Sequence, residues 1–378
     1  MMKRLIALVT VSGMTLLGLV ALGGPTEAKV SATNGQILFS RYDPAIDDDH
    51  LFTANPDGSH EVQLPPLSAG GECGSWSPDG SKVLENTPNA DGVPRPATVN
   101  PDGSGFKLLD NPDAGLFLGC GNWSPNMARI SSEGFGVADP GRNGVYTMRS
   151  SDGRGLFRVT TNPGGDDNPW GYSPDGSKIL FSRIAPGCLG AACDHGDLFV
   201  VNVNGTGLRQ LNPASIPVSC CNADWSPDGT RVVFAGIFKS SIGSGSQSAV
   251  FVVDVDGTGL HQLTPYGLGA RHPHWSPDGH LIAFNNEARE SGLQIYVVHP
   301  DGSGLTRVTD PTNGDHSFEP VWSPDSTKLL FSRVHGTQGS YQEDLWIANA
   351  DGKGLTQVTN TPDPSEEAVG WGSHPLAT

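Results

Sequence analysis

The residues of this chain best suited to acid–base or metal chemistry are Arg271-His272-Pro273-His274. On an extended strand, residues two apart point the same way, so His272 and His274 would present two imidazoles to one side. His316 and Glu319 fall in the corresponding stretch one repeat later. Imidazoles and carboxylates together can hold a divalent cation. With Arg271 they can hold an acidic sugar, and binding would then weaken as pH falls through about 6.5, where an ordinary histidine gains its proton. The same stretch differs in chemical type elsewhere in the chain: Glu72 and Cys73, Cys120, Asp166-Asp167-Asn168, Cys220-Cys221-Asn222, and Glu366-Glu367. The candidate ligand-binding residues are therefore Glu72, Asp167, Asn222, Arg271, His272, His274, His316, Glu319 and Glu367. A divalent cation on His272, His274 and Glu319 is the one cofactor they suggest, and they form no complete catalytic set. The plainer alternative is a solvated acidic rim in which His272 caps a strand.

Two further groups carry reactive side chains. Asp47-Asp48-Asp49-His50 lacks the spaced ligands of a calcium loop and reads as a solvated loop. The six cysteines, Cys73, Cys120, Cys188, Cys193, Cys220 and Cys221, suit disulfides in an exported protein. Cys73 and Cys120 each stand three residues before a tryptophan in successive repeats, so a Cys73–Cys120 bridge is expected. Two more bridges are expected among the other four, which share one face. Thiolate metal binding is the competing reading, and no Cys-x-x-Cys pair supports it.

These residues are positioned by a repeat. Trp-Ser-Pro-Asp-Gly occurs at Trp76–Gly80, Trp225–Gly229 and Trp275–Gly279, with variants beginning at Trp123, Tyr172 and Trp322 and a worn copy at Trp371. The starts are separated by 47, 49, 53, 50, 47 and 49 residues, a near-constant period that marks a repeat fold. After each string comes a strand such as 179–183, a variable loop, a second strand such as 198–202, an Asp-Gly or Asn-Gly turn, and a third strand such as 304–309. With the strand that ends on the tryptophan, each unit has four strands. Pro presets φ at the first turn position, Asp bonds nearby amides and Gly takes the positive φ. Asp-Gly and Asn-Gly turn the later hairpin. The tryptophans are read as wedges between sheets.

The ends of the chain bear on topology. Three strands, 37–41, 51–55 and 61–64, precede the first tryptophan, and only a short tail follows the last. One unit is thus split between the termini, and 368–371 is expected to supply the inner strand of the sheet begun by 37–41, leaving no bare edge. The fold class predicted is all-β, a seven-bladed β-propeller of four-stranded blades over residues 33–374. Six blades with one unit displaced is the alternative.

The N-terminus has the three regions of a secretory signal: Lys3 and Arg4, an apolar run from Leu5 to Leu22, and small residues at Gly23, Gly24, Ala28 and Ala32. Residues 1–28 are assigned to a removed signal, which places the rest in the periplasm or outside the cell as a monomer with no membrane insertion. A retained anchor is the alternative. The formal charge of −17 argues against nucleic acid and anionic membranes, which call for a basic footprint.

Trp-Ser-Pro-Asp-Gly followed by an Ile/Val-x-Phe strand and an Asp-Gly-x-Gly-Leu turn resembles the TolB-like, WD40-like propeller repeat over nearly all of the chain after the signal. The resemblance implies the fold; the function varies among propellers of this kind. The family's namesake carries a mixed α/β domain ahead of its propeller and docks onto envelope proteins. Here strand-like sequence begins soon after the signal, which argues against that domain and that role. Relatives fused to serine peptidases would carry a Gly-x-Ser-x-Gly elbow, and none is present. A related oligogalacturonate lyase has a His-rich metal site in its pocket, to which Arg271-His272-Pro273-His274 is the nearest feature. The reading favoured is a non-enzymatic binding module for a protein or glycan. The rival is a carbohydrate-active lyase or hydrolase using Arg271, His272, His274, Glu319 and Glu367.

Overall fold

Each Ser-Pro-Asp-Gly string closes a hairpin through its own side chains. In the string that begins at Trp225, Ser226 Oγ donates to Asp228 Oδ1 (2.6 Å), the Thr230 amide donates to the same oxygen (3.0 Å), and the Gly229 amide donates to the Ser226 carbonyl (2.8 Å). Asn126 does the work of the aspartate in the string that begins at Trp123, accepting from Ser124 Oγ at 2.8 Å. Gly229 sits at φ 69°, and where a unit lacks this glycine the replacement, Met127 or Ser326, is forced into the same left-handed region.

The computed structural model describes residues 33–376, apart from 46–47, 66–73, 89–93, 112, 114, 188–194, 238–246, 288–291, 312–313, 338–339, 363–364 and 374–375. The expected signal at 1–28 lies outside these residues. The described chain forms seven four-stranded antiparallel blades in a ring, which rules out the six-blade arrangement. Counted from the N-terminus, the inner strands are Glu366–Trp371 for blade 1, Ser75–Trp76 for blade 2, Leu116–Trp123 for blade 3 and Asp166–Tyr172 for blade 4. They continue as Val218–Trp225, Ala270–Trp275 and His316–Trp322 for blades 5 to 7. Each outer strand has only two residues, so little bare edge is offered to other chains.

The ring closes within blade 1, where Glu366–Trp371 pairs with Ile37–Asp43 from Arg41↔Glu366 to Ile37↔Trp371. That strand begins two residues earlier than expected. Asp48, Asp49 and His50, read from sequence as loop, instead open the strand Asp48–Ala54 and pair with Asp43, Tyr42 and Arg41. An additional ladder joins two blades: His195 and Gly196 of blade 4 pair with Ser219 and Val218 of blade 5.

Three of the tryptophans tie blade to blade with directed bonds, whereas Trp275 and Trp371 donate to Gly279 and Gly35 of their own blades. The indole N–H of Trp123 donates to the Ser75 carbonyl (3.3 Å), Trp225 to Gly171 (3.3 Å) and Trp322 to His274 (3.0 Å). In each case the acceptor is the residue just before the aromatic of the preceding blade. The inner strands are thereby held at fixed offsets around the axis. Farther out, a fully buried Phe recurs at Phe39, Phe181, Phe234, Phe284 and Phe331, facing an aromatic across the hairpin at Phe52, Phe199, Phe251, Tyr296 and Trp346. Blade 2 breaks this ladder with Glu85 opposite Ala97, and blade 3 with Ser132 opposite Tyr146.

Candidate functional site

Inner strands that converge on an axis leave a channel, and its lining is set by residues counted back from each tryptophan. A cavity of about 380 Å³ is walled by Asp224 from blade 5, His272 and His274 from blade 6, Glu319 from blade 7 and Ala368 from blade 1. A second, of about 500 Å³, shares Asp224, His274, Glu319 and Ala368 with it and extends past Glu367 to Ser75, Asn122 and Trp170. The two are one space, and all seven inner strands contribute to it.

The inner strands of blades 6 and 7 carry β-bulges, between Arg271 and His274 and between Phe318 and Val321. The bulges place His272 and Glu319 in the left-handed backbone region, at φ 52° and 54°, which disfavours any residue with a Cβ. Both His272 and His274 line the cavity, although the bulge breaks the period-2 alternation from which a common side was expected. His274 Nδ1 lies 3.8 Å from Asp224 Oδ2, and that same oxygen accepts the Trp275 backbone N–H at 2.9 Å. Burial, then the charges of His274 and Arg271, push His272 down to about 4. Its imidazole is therefore neutral at ordinary pH, and the titration near 6.5 expected from sequence does not apply to it.

The other candidates fall elsewhere. Arg271 does not wall the cavity; its Nε pairs with Glu287 Oε2 at 2.8 Å. His316 Nδ1 accepts the Leu293 backbone N–H (3.1 Å), and so braces a loop. Asp167 is buried, and its two oxygens take Arg183 Nε and Nη2 (2.7 Å each), Thr160 Oγ1 (2.5 Å) and Asn162 Nδ2 (3.0 Å). Blade 1 repeats this clamp with Arg41 on buried Glu366 at 2.6 Å, and blade 7 with Arg333 on Asp315 at 2.7 Å. Glu72, Cys73, Cys188 and Cys193 lie outside the described residues, as do the side chains of Cys120, Cys220, Cys221 and Asn222.

Asp224 and Trp170 were not singled out from sequence. Asp224 stands one residue before Trp225, the position that also supplies Ser75, Asn122 and His274 to the channel. Counting back by one as well as by three would have found it. Among the described residues no three His, Cys, Asp or Glu side chains gather so as to hold a metal ion. The set proposed from sequence, His272, His274 and Glu319, thus shares a cavity without forming a cage.

Residues 192–369 match the family model described as the TolB beta propeller domain, and the same repeat grammar runs through the blades before them. Nearly half of the chain thus matches the TolB β-propeller model, and the ring as a whole is TolB-like in its repeat. Among its relatives is the uncharacterized protein Atu1656 of Agrobacterium fabrum, 24% identical over 280 residues that cover 69% of this chain and 84% of that one. The Tol-Pal system protein TolB of Geobacter sulfurreducens is 36% identical over 75 residues, 20% of this chain and 16% of that protein. Among solved structures, an oligogalacturonate lyase in complex with manganese superposes with a TM-score of 0.62 at 16% identity, over 83% of this chain and 86% of that one. At that identity the likeness is one of fold. No helix among the described residues of this TolB-like propeller is long and apolar enough to cross a membrane.

Proposed function

We propose that this TolB-like propeller is an exported binding module whose axial channel and variable face hold a protein or glycan partner. One observation carries the reading. The turns at one end repeat the same side-chain bonds blade after blade, while the inner strands send a different residue into the channel from each blade, among them Asp224, His274, Glu319 and Glu367. A scaffold that is constant at one end and individual along its axis is the arrangement expected of a recognition site. Export to the periplasm or beyond rests on Lys3, Arg4 and the apolar run that follows. The acidic composition speaks against nucleic acid as partner. The test is capture from an envelope extract by the purified protein and by a variant carrying Asp224→Asn, Glu319→Gln and Glu367→Gln. Partners retained by the wild type and lost by the variant support the reading; identical or empty captures refute it.

A carbohydrate-active lyase or hydrolase is the second reading, supported by the carboxylate of Asp224 beside the imidazole of His274, a pairing suited to proton transfer. A metal-assisted version finds no three-residue donor set among the described residues. A screen for cleavage of neutral and acidic glycans, with metal content measured on the same sample, separates this reading from the first.

A further inference from the structure

The channel's charge points to the kind of group it accepts. Its carboxylates come from three separate strands: Asp224 on blade 5, Glu319 on blade 7 and Glu367 on blade 1. Among the described residues neither part of the cavity wall includes a lysine or an arginine. The nearest arginine of the inner strands, Arg271, is engaged by Glu287, and His272, kept neutral by burial, adds no positive charge. Carboxylates along a narrow cleft with low-dielectric walls concentrate negative potential there. Anionic sugars meet repulsion in such a space.

A small metal ion fits poorly for a geometric reason, since no three of these donors converge. Carboxylates spaced along a cavity of several hundred Å³ match instead a molecule whose positive charges are themselves spaced, within the size range of ordinary ligand sites. The wall also includes the half-buried Trp170, and an indole face attracts alkylammonium and guanidinium groups.

We infer that the axial channel takes an extended organic polycation, with two or more alkylammonium or guanidinium groups seated among Asp224, Glu319 and Glu367. Such groups are carried by a polyamine or by neighbouring lysine and arginine side chains of a partner protein. The inference rests on the binding-module reading and names the chemistry of what is bound.

Calorimetric titration of the purified protein with spermine, hexalysine, hexaglutamate, an oligogalacturonate and manganese chloride tests it. Spermine or hexalysine should bind saturably, and which of the two binds more tightly tells the polyamine from the peptide source. Binding should weaken on raising salt from 50 to 300 mM (concentrations on the order of those that shorten electrostatic reach substantially). Each of Asp224→Asn, Glu319→Gln and Glu367→Gln should weaken it about tenfold, the loss expected when a charged group loses one hydrogen-bonded partner. A variant with the same number of charges removed off the channel, Asp110→Asn, Asp310→Asn and Asp351→Asn, should bind as the wild type does, and circular dichroism melting confirms that both sets fold. Equal losses in the two sets overturn the inference, as does absence of binding by either polycation. Binding of the oligogalacturonate or of manganese alone overturns it too, but leaves the binding-module reading standing, because that reading is judged by the envelope capture.

Discussion

His272 and Glu319 hold the same place in neighbouring blades, three residues before the tryptophan, and both are left-handed, at φ 52° and 54°. Neither is the glycine that such a backbone favours. Two side chains are thus kept at the channel against a local conformational penalty, the pattern of strain found where a residue serves something other than stability. Replacing Glu319 by Ala and by Gly removes the carboxylate in both cases, and only Gly relieves the backbone. The Gly variant should be more stable than the Ala variant by about 1 kcal/mol, read from urea unfolding, while both bind spermine more weakly than the wild type. An Ala variant as stable as the Gly variant would show that the backbone is not under strain.

Asp167 should behave as scaffold. Its buried carboxylate satisfies Arg183, Thr160 and Asn162, so Asp167→Ala leaves a largely buried guanidinium without its counter-charge. Breaking one side of such a pair destabilises by about 3 kcal/mol or more. Chemical denaturation should register that loss, with the affinity of the folded protein for spermine unchanged. A drop in affinity with no loss of stability would return Asp167 to the binding residues.

Stability should decline as pH rises from about 5 to mildly alkaline. Burial pushes Glu85 up to about 8, and burial followed by the charge of Asp166 does the same for Glu133. Glu85 Oε1 has no hydrogen-bond partner among the described residues. A carboxyl raised on folding contributes stability that is fully present below its unfolded value of about 4.3 and is lost as pH rises through the folded value. The slope is up to about 1.4 kcal/mol per pH unit for each group. The turn aspartates act at the other end. Asp175, lowered by the Ser173 hydroxyl and then by the Ser177 amide, contributes above the unfolded carboxyl value, and its contribution is lost as pH falls through the folded one. Melting temperature should therefore be highest near pH 5, and Glu85→Gln should flatten the fall between pH 5 and 8. A variant with the wild-type profile would remove Glu85 as a cause.

Blades 4 and 5 are joined by the ladder His195↔Ser219, which ends one residue before Cys220 in sequence and begins two residues after Cys193. Peptide mapping without reduction should find two bridges within Cys188, Cys193, Cys220 and Cys221, and one between Cys73 and Cys120. Free thiols throughout, or a bridge linking the two sets, would refute that assignment.

The blades were legible in sequence because their determinants are local. Pro, Asp and Gly set the turns, a period-2 strand follows, and the spacing repeats. Closure was legible too, since three strands before Trp76 left one strand owing at the other end. The channel was half legible. Counting back three residues from a tryptophan found His272 and Glu319, but the wall also uses the position just before the tryptophan, which holds Asp224. Asp167 and Glu366 are acidic residues at the head of an inner strand, like Glu367, and only their arginine partners mark them as clamps. Arg183 and Arg41 sit on the neighbouring strand, so the distinction needs the sheet register. The neutral state of His272 depends on burial by several strands, which no local spacing encodes. Glu85, by contrast, stood in plain view as the break in the Ile/Val-x-Phe pattern.

Arg41 and Glu366 meet across 325 residues of chain. A ribosome delivers Glu366 long after Arg41, so blade 1 waits with its inner flank bare while six other blades are made. Contacts so distant in sequence form late and slowly, and a strand edge left open in the meantime invites pairing with the wrong chain. The yield of folded protein is accordingly governed by how long that edge survives unaccompanied, a quantity set by the rate of delivery and by whatever escorts the growing chain, and invisible in the finished ring.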